Sequence, residues 1–284
     1  MKWANVQVED GSRAGLVHGD NILLTHFPDV AALLGDLSAR EAQAGEAGEI
    51  SLREAALLPP VLKPGKILGI GVNYSAHAKE SVTFVNNPTS NVQKWFNKQA
   101  TGANGPYSPV HLPVVSDQLD YEAELVVVIG RTGRHVPEDR ADEMIAGYCC
   151  GCDFSVRDWQ RASPTMIMGK GFDTHAPFGP FLVTPDEIAD LDGLEIRGYV
   201  NEERRQQGVA RDMTFSIRQQ IAHLTKAFTL EPGDVIFTGT PAGVGAGFDP
   251  PKWLKAGDKV RVEISGLGHI ENEIVREQKQ TVLR

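Results

Sequence analysis

The sequence predicts an α+β protein that is rich in β-strands. Three observations support this class. The chain of 284 residues contains 29 Gly and 17 Pro, which indicate many turns and short strands. Short apolar or alternating segments recur along most of its length, as is typical of strands. The clearest helix lies at residues 214–228, where a capping box of Ser216 and Gln219 precedes an apolar stripe.

The composition is that of an ordinary globular protein, with 41% hydrophobic and 23% charged residues. The formal net charge of −9 argues against nucleic acids and anionic membranes as partners, since neither would be attracted. The chain has no run of 18 apolar residues and no apolar signal-peptide core at its start. We therefore expect a cytoplasmic protein.

Residues 1–62 are predicted to form a small N-terminal α/β domain, and residues 63–284 the main domain. Alternating segments joined by Asp-Gly and His-Gly-Asp turns indicate a meander of strands, followed by two short helices. A proline-rich connector, residues 57–65, marks the boundary. The strands are expected at residues 3–8, 14–18 and 21–25, and the helices at residues 30–34 and 39–45.

The main domain opens with a strand at residues 66–72 that runs into a pair of titratable side chains. Its Gly-Ile-Gly resembles half of a dinucleotide-binding fingerprint, but the third glycine is missing. His77 and Glu80 are three residues apart, so they share a face on a helical turn. A carboxylate orients a neighbouring imidazole, which prepares it to take a proton from water. The alternative is an exposed pair on a surface helix.

Residues 81–110 are polar and rich in Asn, Pro and Gly, with one amphipathic patch at residues 92–96. A loop of this length inside a compact domain is often a lid. Its aromatic residues would cover a bound ligand and exclude water.

Glu122 and Glu124 precede an apolar, mostly β-branched run, residues 125–129, that is typical of a strand buried on both faces. Side chains alternate along a strand, so both carboxylates point the same way, with Cα atoms about 6.6 Å apart. Two buried carboxylates repel each other unless a cation lies between them, and Mg²⁺ is a cation that prefers oxygen ligands. The alternative is an edge strand on which both face solvent and pair with Lys or Arg.

Asp153 ends a second strand-like run, residues 146–152, and would add a third carboxylate. Three acidic ligands from two strands could hold one face of an octahedron and leave the other positions to substrate and water. The three cysteines of the chain lie in the same run, at Cys149, Cys150 and Cys152. Without a second cluster they make a poor zinc site, so we expect buried, small apolar residues.

Two later segments offer groups for binding a ligand. Lys170 stands between glycines that let the backbone approach a ligand, so it is a candidate to neutralise an oxyanion; a solvated surface lysine is the alternative. Residues 239–245 form a glycine-rich loop that is not a P-loop, and its N–H groups and the Thr240 hydroxyl could bind a carboxylate. Further strands are expected at residues 178–183, 195–201, 235–238, 259–265 and 269–275.

Five motifs occur in order between residues 64 and 276, and together they resemble the fumarylacetoacetate hydrolase family. They are Gly71-Val72-Asn73-Tyr74 with His77 and Glu80, Tyr121-Glu122-Ala123-Glu124-Leu125, Asp153 with Arg157-Asp158-Trp159-Gln160, Gly169-Lys170-Gly171-Phe172-Asp173, and Thr238-Gly239-Thr240-Pro241-Ala242-Gly243-Val244-Gly245. The resemblance implies mixed, rolled β-sheets, a homodimer or higher homo-oligomer, and an Mg²⁺ or Mn²⁺ site.

The resemblance also implies a role for ten residues. The metal ligands would be Glu122, Glu124 and Asp153. The catalytic residues would be His77, Glu80 and Lys170. The substrate contacts would be Asn73, Arg157, Gln160 and Thr240. Residues 95–99 depart from the family pattern because they lack its usual Lys-Pro pair, which leaves the lid contacts and the substrate open.

The implied activity is metal-dependent hydrolysis of a 2,4-diketo acid at a C–C bond, which gives pyruvate and a second carboxylic acid. His77, polarised by Glu80, would deprotonate the attacking water. An oxo-acid decarboxylase, isomerase or hydratase is the alternative, and a non-enzymatic oxo-acid binding module is disfavoured by the complete dyad. Because the lid segment has few cations (Lys79, Lys94 and Lys98), a 2,4-diketo-3-deoxy sugar acid is favoured over a dicarboxylate.

Overall fold

The computed structural model describes residues 1–81 and 91–283 of the chain. Short strands dominate these residues, with a few α-helices and single 3-10 turns between them. The strands are β1 (Lys2–Val8), β2 (Gly11–His18), β3 (Asn21–Leu24), β4 (Glu49–Ser51), β5 (Leu57–Leu58), β6 (Ile67–Gly71), β7 (Lys94–Lys98), β8 (Ala103–Asn104), β9 (Val110–Leu112), β10 (Leu119–Asp120), β11 (Ala123–Ile129), β12 (Ile145–Cys152), β13 (Ser155–Val156), β14 (Ala176–Val183), β15 (Glu195–Val200), β16 (Glu203–Val209), β17 (Val235–Phe237), β18 (Lys259–Ile264) and β19 (Gly268–Arg276). The helices are α1 (Ser75–Glu80), α2 (Arg157–Ala162), α3 (Ile167–Lys170) and α4 (Ile217–Ala227).

Most of the strands in the described residues belong to one twelve-stranded sheet. Its order is β4-β3-β2-β1-β14-β12-β11-β17-β6-β7, with β5 beside β1 and β8 beside β14. A second sheet has the order β16-β15-β18-β19-β9, and β10 pairs with β13. The large sheet is mixed, since β17 and β6 are parallel whereas β11 and β12 are antiparallel. The predicted β-rich α+β fold with mixed sheets is therefore confirmed.

Strand β11 lies inside the large sheet, between β12 and β17, and all of its residues are buried. Its side chains alternate between two apolar clusters, with Leu125 and Val127 in one and Val126 and Val128 in the other. Both faces of the sheet are thus packed, which explains the unbroken apolar run in the sequence.

The three cysteines of β12 are buried and form no disulfide. Burial raises the pKa of each thiol, to about 12 for Cys150, so the thiols remain neutral. They behave as small apolar residues, as predicted.

The N-terminal strands continue the large sheet. Strand β1 pairs with β14, with Lys2 opposite Val183 and Trp3 opposite Leu182. Trp3 is fully buried in the apolar cluster that also contains Val126. The boundary after residue 62 stays a prediction; across that point in the sequence, β1 pairs with β14 and the two strands share an apolar cluster.

The prediction that residues 81–110 form one long loop is in part wrong. Residues Lys94–Lys98 form strand β7, which pairs antiparallel with β6 instead of lying in a loop. The aromatic ring of Phe96 covers Gly69, where a Cβ atom would come within 2.4 Å of the ring, so the missing side chain makes room for this pairing. Residues 82–90 of the proposed lid lie outside the described residues. No helix in the described part of the chain is long and apolar enough to cross a membrane.

Candidate active site

The register of β11 and β12 brings three carboxylates together. Ala123 lies opposite Cys152, and the Asp153 N–H donates to the Glu122 carbonyl oxygen at 2.9 Å, so Asp153 and Glu122 end the pair side by side. Glu124 lies two residues along the strand on the same face. One carboxylate oxygen from each of the three residues lies within 4.8 Å of the others, and all three residues are buried.

Cationic side chains balance the negative charges of Glu122 and Asp153 but form no ion pair with Glu124 in the described residues. Lys170 Nζ lies 2.7 Å from Glu122 Oε2 and 2.6 Å from Asp153 Oδ2, and Arg157 Nη2 lies 2.7 Å from Glu122 Oε1. Burial raises the pKa of Glu122, but Lys170 and Arg157 outweigh it and hold that pKa well below its ordinary value. Burial, together with Asp153 and Glu122, raises the pKa of Glu124 well above its ordinary value.

The carboxylate cluster fits a divalent cation. Glu124 accepts the Gly239 N–H at 2.7 Å and forms no ion pair within residues 1–81 and 91–283. Its buried charge is therefore the least balanced of the three. Carboxylate oxygens are the ligands that Mg²⁺ and Mn²⁺ prefer. Glu122, Glu124 and Asp153 would hold such an ion.

The predicted dyad forms beside this cluster. On α1, His77 Nδ1 lies 3.1 Å from Glu80 Oε2, and Ser81 Oγ lies 3.3 Å from His77 Nε2. Glu80 also accepts the Gly243 N–H at 3.0 Å. A carboxylate at Nδ1 favours the tautomer with its proton there, which leaves Nε2 as the basic nitrogen.

A cavity of about 670 Å³ joins the dyad to the carboxylate cluster. His77, Glu122 and Lys170 all line it, and Ile70, Phe96 and Met166 provide part of its apolar wall. Two further cations, Lys94 on β7 and Arg161 on α2, also line the cavity. The cavity therefore offers an acidic end and additional positive groups for an anionic ligand.

Three of the four predicted substrate contacts line this cavity, namely Arg157, Gln160 and Thr240. Arg157 Nη1 donates to Gln160 Oε1 at 2.9 Å, and the Gln160 amide nitrogen donates to Met166 Sδ at 3.5 Å, a weak acceptor that a ligand oxygen could replace. The Thr240 hydroxyl donates to the Ala123 carbonyl oxygen at 2.8 Å.

Asn73, the fourth predicted substrate contact, does not line the cavity. Its side chain is fully buried and donates to the carbonyl oxygens of Phe215 and Thr238. The Phe215 N–H donates to Asn73 Oδ1. The residue fastens β6 to the segments before α4 and after β17, so the structure does not support a substrate contact.

Two buried charged side chains of the site were not predicted to lie there from the sequence. Lys98, expected in the lid, lies with Nζ 2.5 Å from Asp153 Oδ1 and 3.0 Å from the Phe154 carbonyl oxygen. Asp120 accepts Arg157 Nε at 2.8 Å. The signal for Asp120 was its position two residues before Glu122, which continues the acidic alternation.

Comparisons with known proteins agree with this geometry. Residues 66–275 match the family model "Fumarylacetoacetate (FAA) hydrolase C-terminal". The chain is 42% identical over 239 residues to the human mitochondrial oxaloacetate tautomerase FAHD2A, covering 84% of this chain and 75% of that protein.

Two solved structures are similar over 98% of this chain and 100% of their own. The Sphingobium sp. SYK-6 maleylpyruvate hydrolase, in complex with manganese(II) and pyruvate, is 31% identical with a TM-score of 0.80. The Mycobacterium smegmatis 5-carboxymethyl-2-hydroxymuconate delta-isomerase is 31% identical with a TM-score of 0.82. Hydrolases, isomerases and tautomerases thus share this architecture. The chain belongs to the fumarylacetoacetate hydrolase family.

Proposed function

We propose that this protein is an Mg²⁺- or Mn²⁺-dependent enzyme that interconverts the enol and keto forms of a 2-oxo dicarboxylic acid. The observation that carries the proposal is one cavity lined both by His77 of the His77–Glu80 dyad and by Glu122 of the carboxylate cluster. The similarity to oxaloacetate tautomerases over most of the chain supports tautomerisation as the first candidate reaction.

A divalent ion bound by Glu122, Glu124 and Asp153 would act as a Lewis acid toward the substrate's 1-carboxylate and 2-oxo group. His77 Nε2 takes the proton of the C2 hydroxyl and then gives it to C3 of the enol. No proton is gained or lost overall. Glu80 stabilises the imidazolium while it carries the extra proton. Lys170 and the Gln160 amide donate hydrogen bonds to the substrate oxygens at the acidic end of the cavity.

The cavity also supports a second carboxylate on the substrate. Lys94 and Arg161 line it in addition to the residues of the acidic end. Arg161 comes from α2, outside the lid segment whose few cations favoured a sugar acid. Charge complementarity with both groups therefore favours a dicarboxylate over an uncharged chain end.

The second candidate is hydrolysis of a 2,4-diketo acid, the activity that the sequence motifs imply. The similarity to a maleylpyruvate hydrolase that holds manganese(II) and pyruvate supports it. His77 would take a proton from water, and the hydroxide would add to the C4 carbonyl. The C3–C4 bond would then break, and protonation of the enolate at C3 would give pyruvate and a carboxylic acid. One water is consumed.

A panel assay separates the two candidates. Loss of enol absorbance from oxaloacetate reports tautomerisation, and coupled pyruvate release from acylpyruvates reports hydrolysis, each with Mg²⁺, with Mn²⁺ and with EDTA. We expect metal-dependent enol loss without pyruvate formation. Pyruvate release with an acid co-product would establish the hydrolase instead, and full activity after verified metal removal would overturn both candidates.

Removing the base provides the first mutational test. We expect His77→Ala to bind Mn²⁺ as the wild type does but to lose about 10²–10⁴-fold in turnover, the usual contribution of a positioned base. Glu122→Gln should lose metal-dependent activity altogether. His223→Ala, an exposed histidine on α4, is the control and should keep wild-type turnover. An active His77→Ala protein would exclude the dyad as the catalytic base.

A further inference from the structure

The glycine loop, which we define as residues 243–247, is attached to the catalytic dyad. The Gly243 N–H donates to both carboxylate oxygens of Glu80, at 3.0 Å and 3.2 Å. The same carboxylate accepts from His77 Nδ1 at 3.1 Å. A carboxylate held by a backbone group and a ring nitrogen has little freedom to rotate, so the loop fixes the orientation of the imidazole.

The next residues of the loop hold a second carboxylate. The Gly245 N–H donates to Asp120 Oδ1 at 2.7 Å, and the Ala246 N–H donates to Asp120 Oδ2 at 3.0 Å. Asp120 is fully buried and accepts Arg157 Nε at 2.8 Å on Oδ2. Asp120 Oδ1 also accepts the Tyr121 N–H at 2.9 Å, so the loop, one guanidinium and this N–H together occupy both oxygens.

Arg157 connects Asp120 to Glu122, one of the three carboxylates that would bind the metal. Its Nη2 lies 2.7 Å from Glu122 Oε1, and its Nη1 donates to Gln160 Oε1. The planar guanidinium thus bridges three acceptors in one rigid fork. Asp120 and Glu122 are therefore linked through one guanidinium.

The local sequence of the loop suits this close contact. Gly243 has a φ of +107°, and a Cβ atom there would lie 1.8 Å from the Arg205 carbonyl oxygen. A Cβ atom on Gly247 would lie 2.0 Å from Glu80 Oε1. Glycine at these positions is what lets the backbone reach the Glu80 carboxylate.

We infer that the glycine loop positions both halves of the active site: the base dyad directly through Glu80, and the metal ligand Glu122 through Asp120 and Arg157. Asp120 is accordingly a positioning residue. The Glu80 half of this inference rests on the proposed function, whereas the Asp120 half concerns metal binding and does not depend on which reaction the enzyme catalyses.

The Asp120 half is tested by titrating Mn²⁺ into the metal-free protein and measuring free Mn²⁺ by electron paramagnetic resonance. We expect Asp120→Asn, which keeps the shape but removes the charge that holds Arg157, to raise the Kd for Mn²⁺ at least tenfold. The matched control is Asp234→Asn. Asp234 is also buried and pairs with Lys66 at 2.9 Å, but it precedes β17, whereas the carboxylate cluster lies beside the residues that follow β17. The Kd of Asp234→Asn for Mn²⁺ should stay within twofold of the wild-type value.

A wild-type Kd in folded Asp120→Asn, or an equal loss of affinity in Asp234→Asn, would overturn this half. Should Asp120→Asn not fold, Arg157→Lys carries the same test, because an ammonium keeps the charge but cannot bridge the three acceptors. It should weaken Mn²⁺ binding at least tenfold, and wild-type affinity would again overturn the inference.

The Glu80 half is tested with Gly247→Ala, whose methyl group must displace the Glu80 carboxylate. We expect kcat to fall at least tenfold while KM and the Kd for Mn²⁺ stay within twofold, measured with the best substrate of the panel. An unchanged kcat would overturn this half, and so would a fall accompanied by a weaker Mn²⁺ affinity. If the wild-type protein shows no turnover on the panel, the proposed function is wrong. The Mn²⁺ titrations still test the role of Asp120 in that case.

Discussion

At the scale of single residues, the site is held together by buried ion pairs in which one carboxylate contacts two ammonium groups. Asp153 receives two ammonium groups, from Lys98 at 2.5 Å and from Lys170 at 2.6 Å. Burial lowers the pKa of Lys98, and Asp153 opposes that effect. Each of these charges would be costly to bury alone, so the stability of one depends on the presence of the other.

We predict that Lys98→Met destabilises the protein by up to about 3–5 kcal/mol, the usual cost of breaking a buried ion pair, because Asp153 is then left with only Lys170, which it shares with Glu122. Urea denaturation of the metal-free protein measures this loss. Lys252→Met, which removes an exposed pair with Glu203, is the control and should have a much smaller effect. Equal losses in the two variants would show that burial of the Lys98 pair adds nothing.

His175 gives the protein a predictable sensitivity to acid. It is fully buried, with Nε2 2.8 Å from the His111 carbonyl oxygen, and burial lowers its pKa from 6.5 to about 3. Between pH 6.5 and about 3, His175 therefore binds a proton in the unfolded chain but not in the folded protein. Folding stability supplied by the neutral ring is present above pH 6.5 and is lost as the pH falls toward 3.

We predict that His175→Gln weakens this pH dependence. Between pH 6.5 and 5, the wild-type free energy of unfolding should fall more steeply than that of the variant, by up to about 1.4 kcal/mol per pH unit. Urea denaturation at pH 7, 6 and 5 compares the two slopes. Parallel curves would mean that His175 is protonated in the folded state.

At the scale of elements, the site depends on how closely two short helices approach. A Cβ atom on Gly169, within α3, would lie 2.2 Å from the Gln160 backbone nitrogen on α2. Because this neighbour is backbone, it cannot move aside without moving its helix. The two helices carry Gln160 and Lys170, so their separation sets the distance between two cavity residues.

We predict that Gly169→Ala separates α2 from α3 and lowers kcat/KM at least tenfold, since small misplacements at a reacting centre have large effects on rate. Steady-state kinetics with the best substrate measures this. Met168→Ala on the same helix is the control, because that side chain is 55% exposed and should be dispensable. Wild-type kinetics in Gly169→Ala would show that the helices can adjust.

Elements with local signals could be predicted from the sequence. The apolar run of β11 and the Ser216–Gln219 capping box of α4 both appear where predicted. The alternation of Glu122 and Glu124 correctly predicted neighbouring carboxylates. Strand β7 could not be predicted, because its pairing with β6 depends on space above Gly69 rather than on its own polar sequence. Lys98 was missed for the same reason.

At the scale of the whole molecule, the N-terminal strands and the catalytic strands share a sheet and a core. Trp3 on β1 is fully buried and packs in the same apolar cluster as Val128 and Phe237. Elements that share a core tend to unfold together. Strand pairing and core packing thus both link the residues before the connector at 57–65 to the residues after it.

We predict that unfolding by urea occurs in one transition, with coincident curves from fluorescence and circular dichroism. Trp3→Ala should lower the free energy of unfolding by about 3–5 kcal/mol and shift the whole curve. Two separate transitions, with only the first affected by Trp3→Ala, would support an independent N-terminal domain instead.

The antiparallel pairing of β11 with β12 has a consequence for how this protein can diverge. The three carboxylates sit at one end of this strand pair, whereas the connection between the strands, residues 130–144, closes the other end. Insertions or deletions in that connection leave the carboxylates aligned. A one-residue change within either strand turns them to opposite faces. A change of length in the connection therefore leaves the carboxylate cluster in register, whereas a change of length at the carboxylate end of either strand would disperse it.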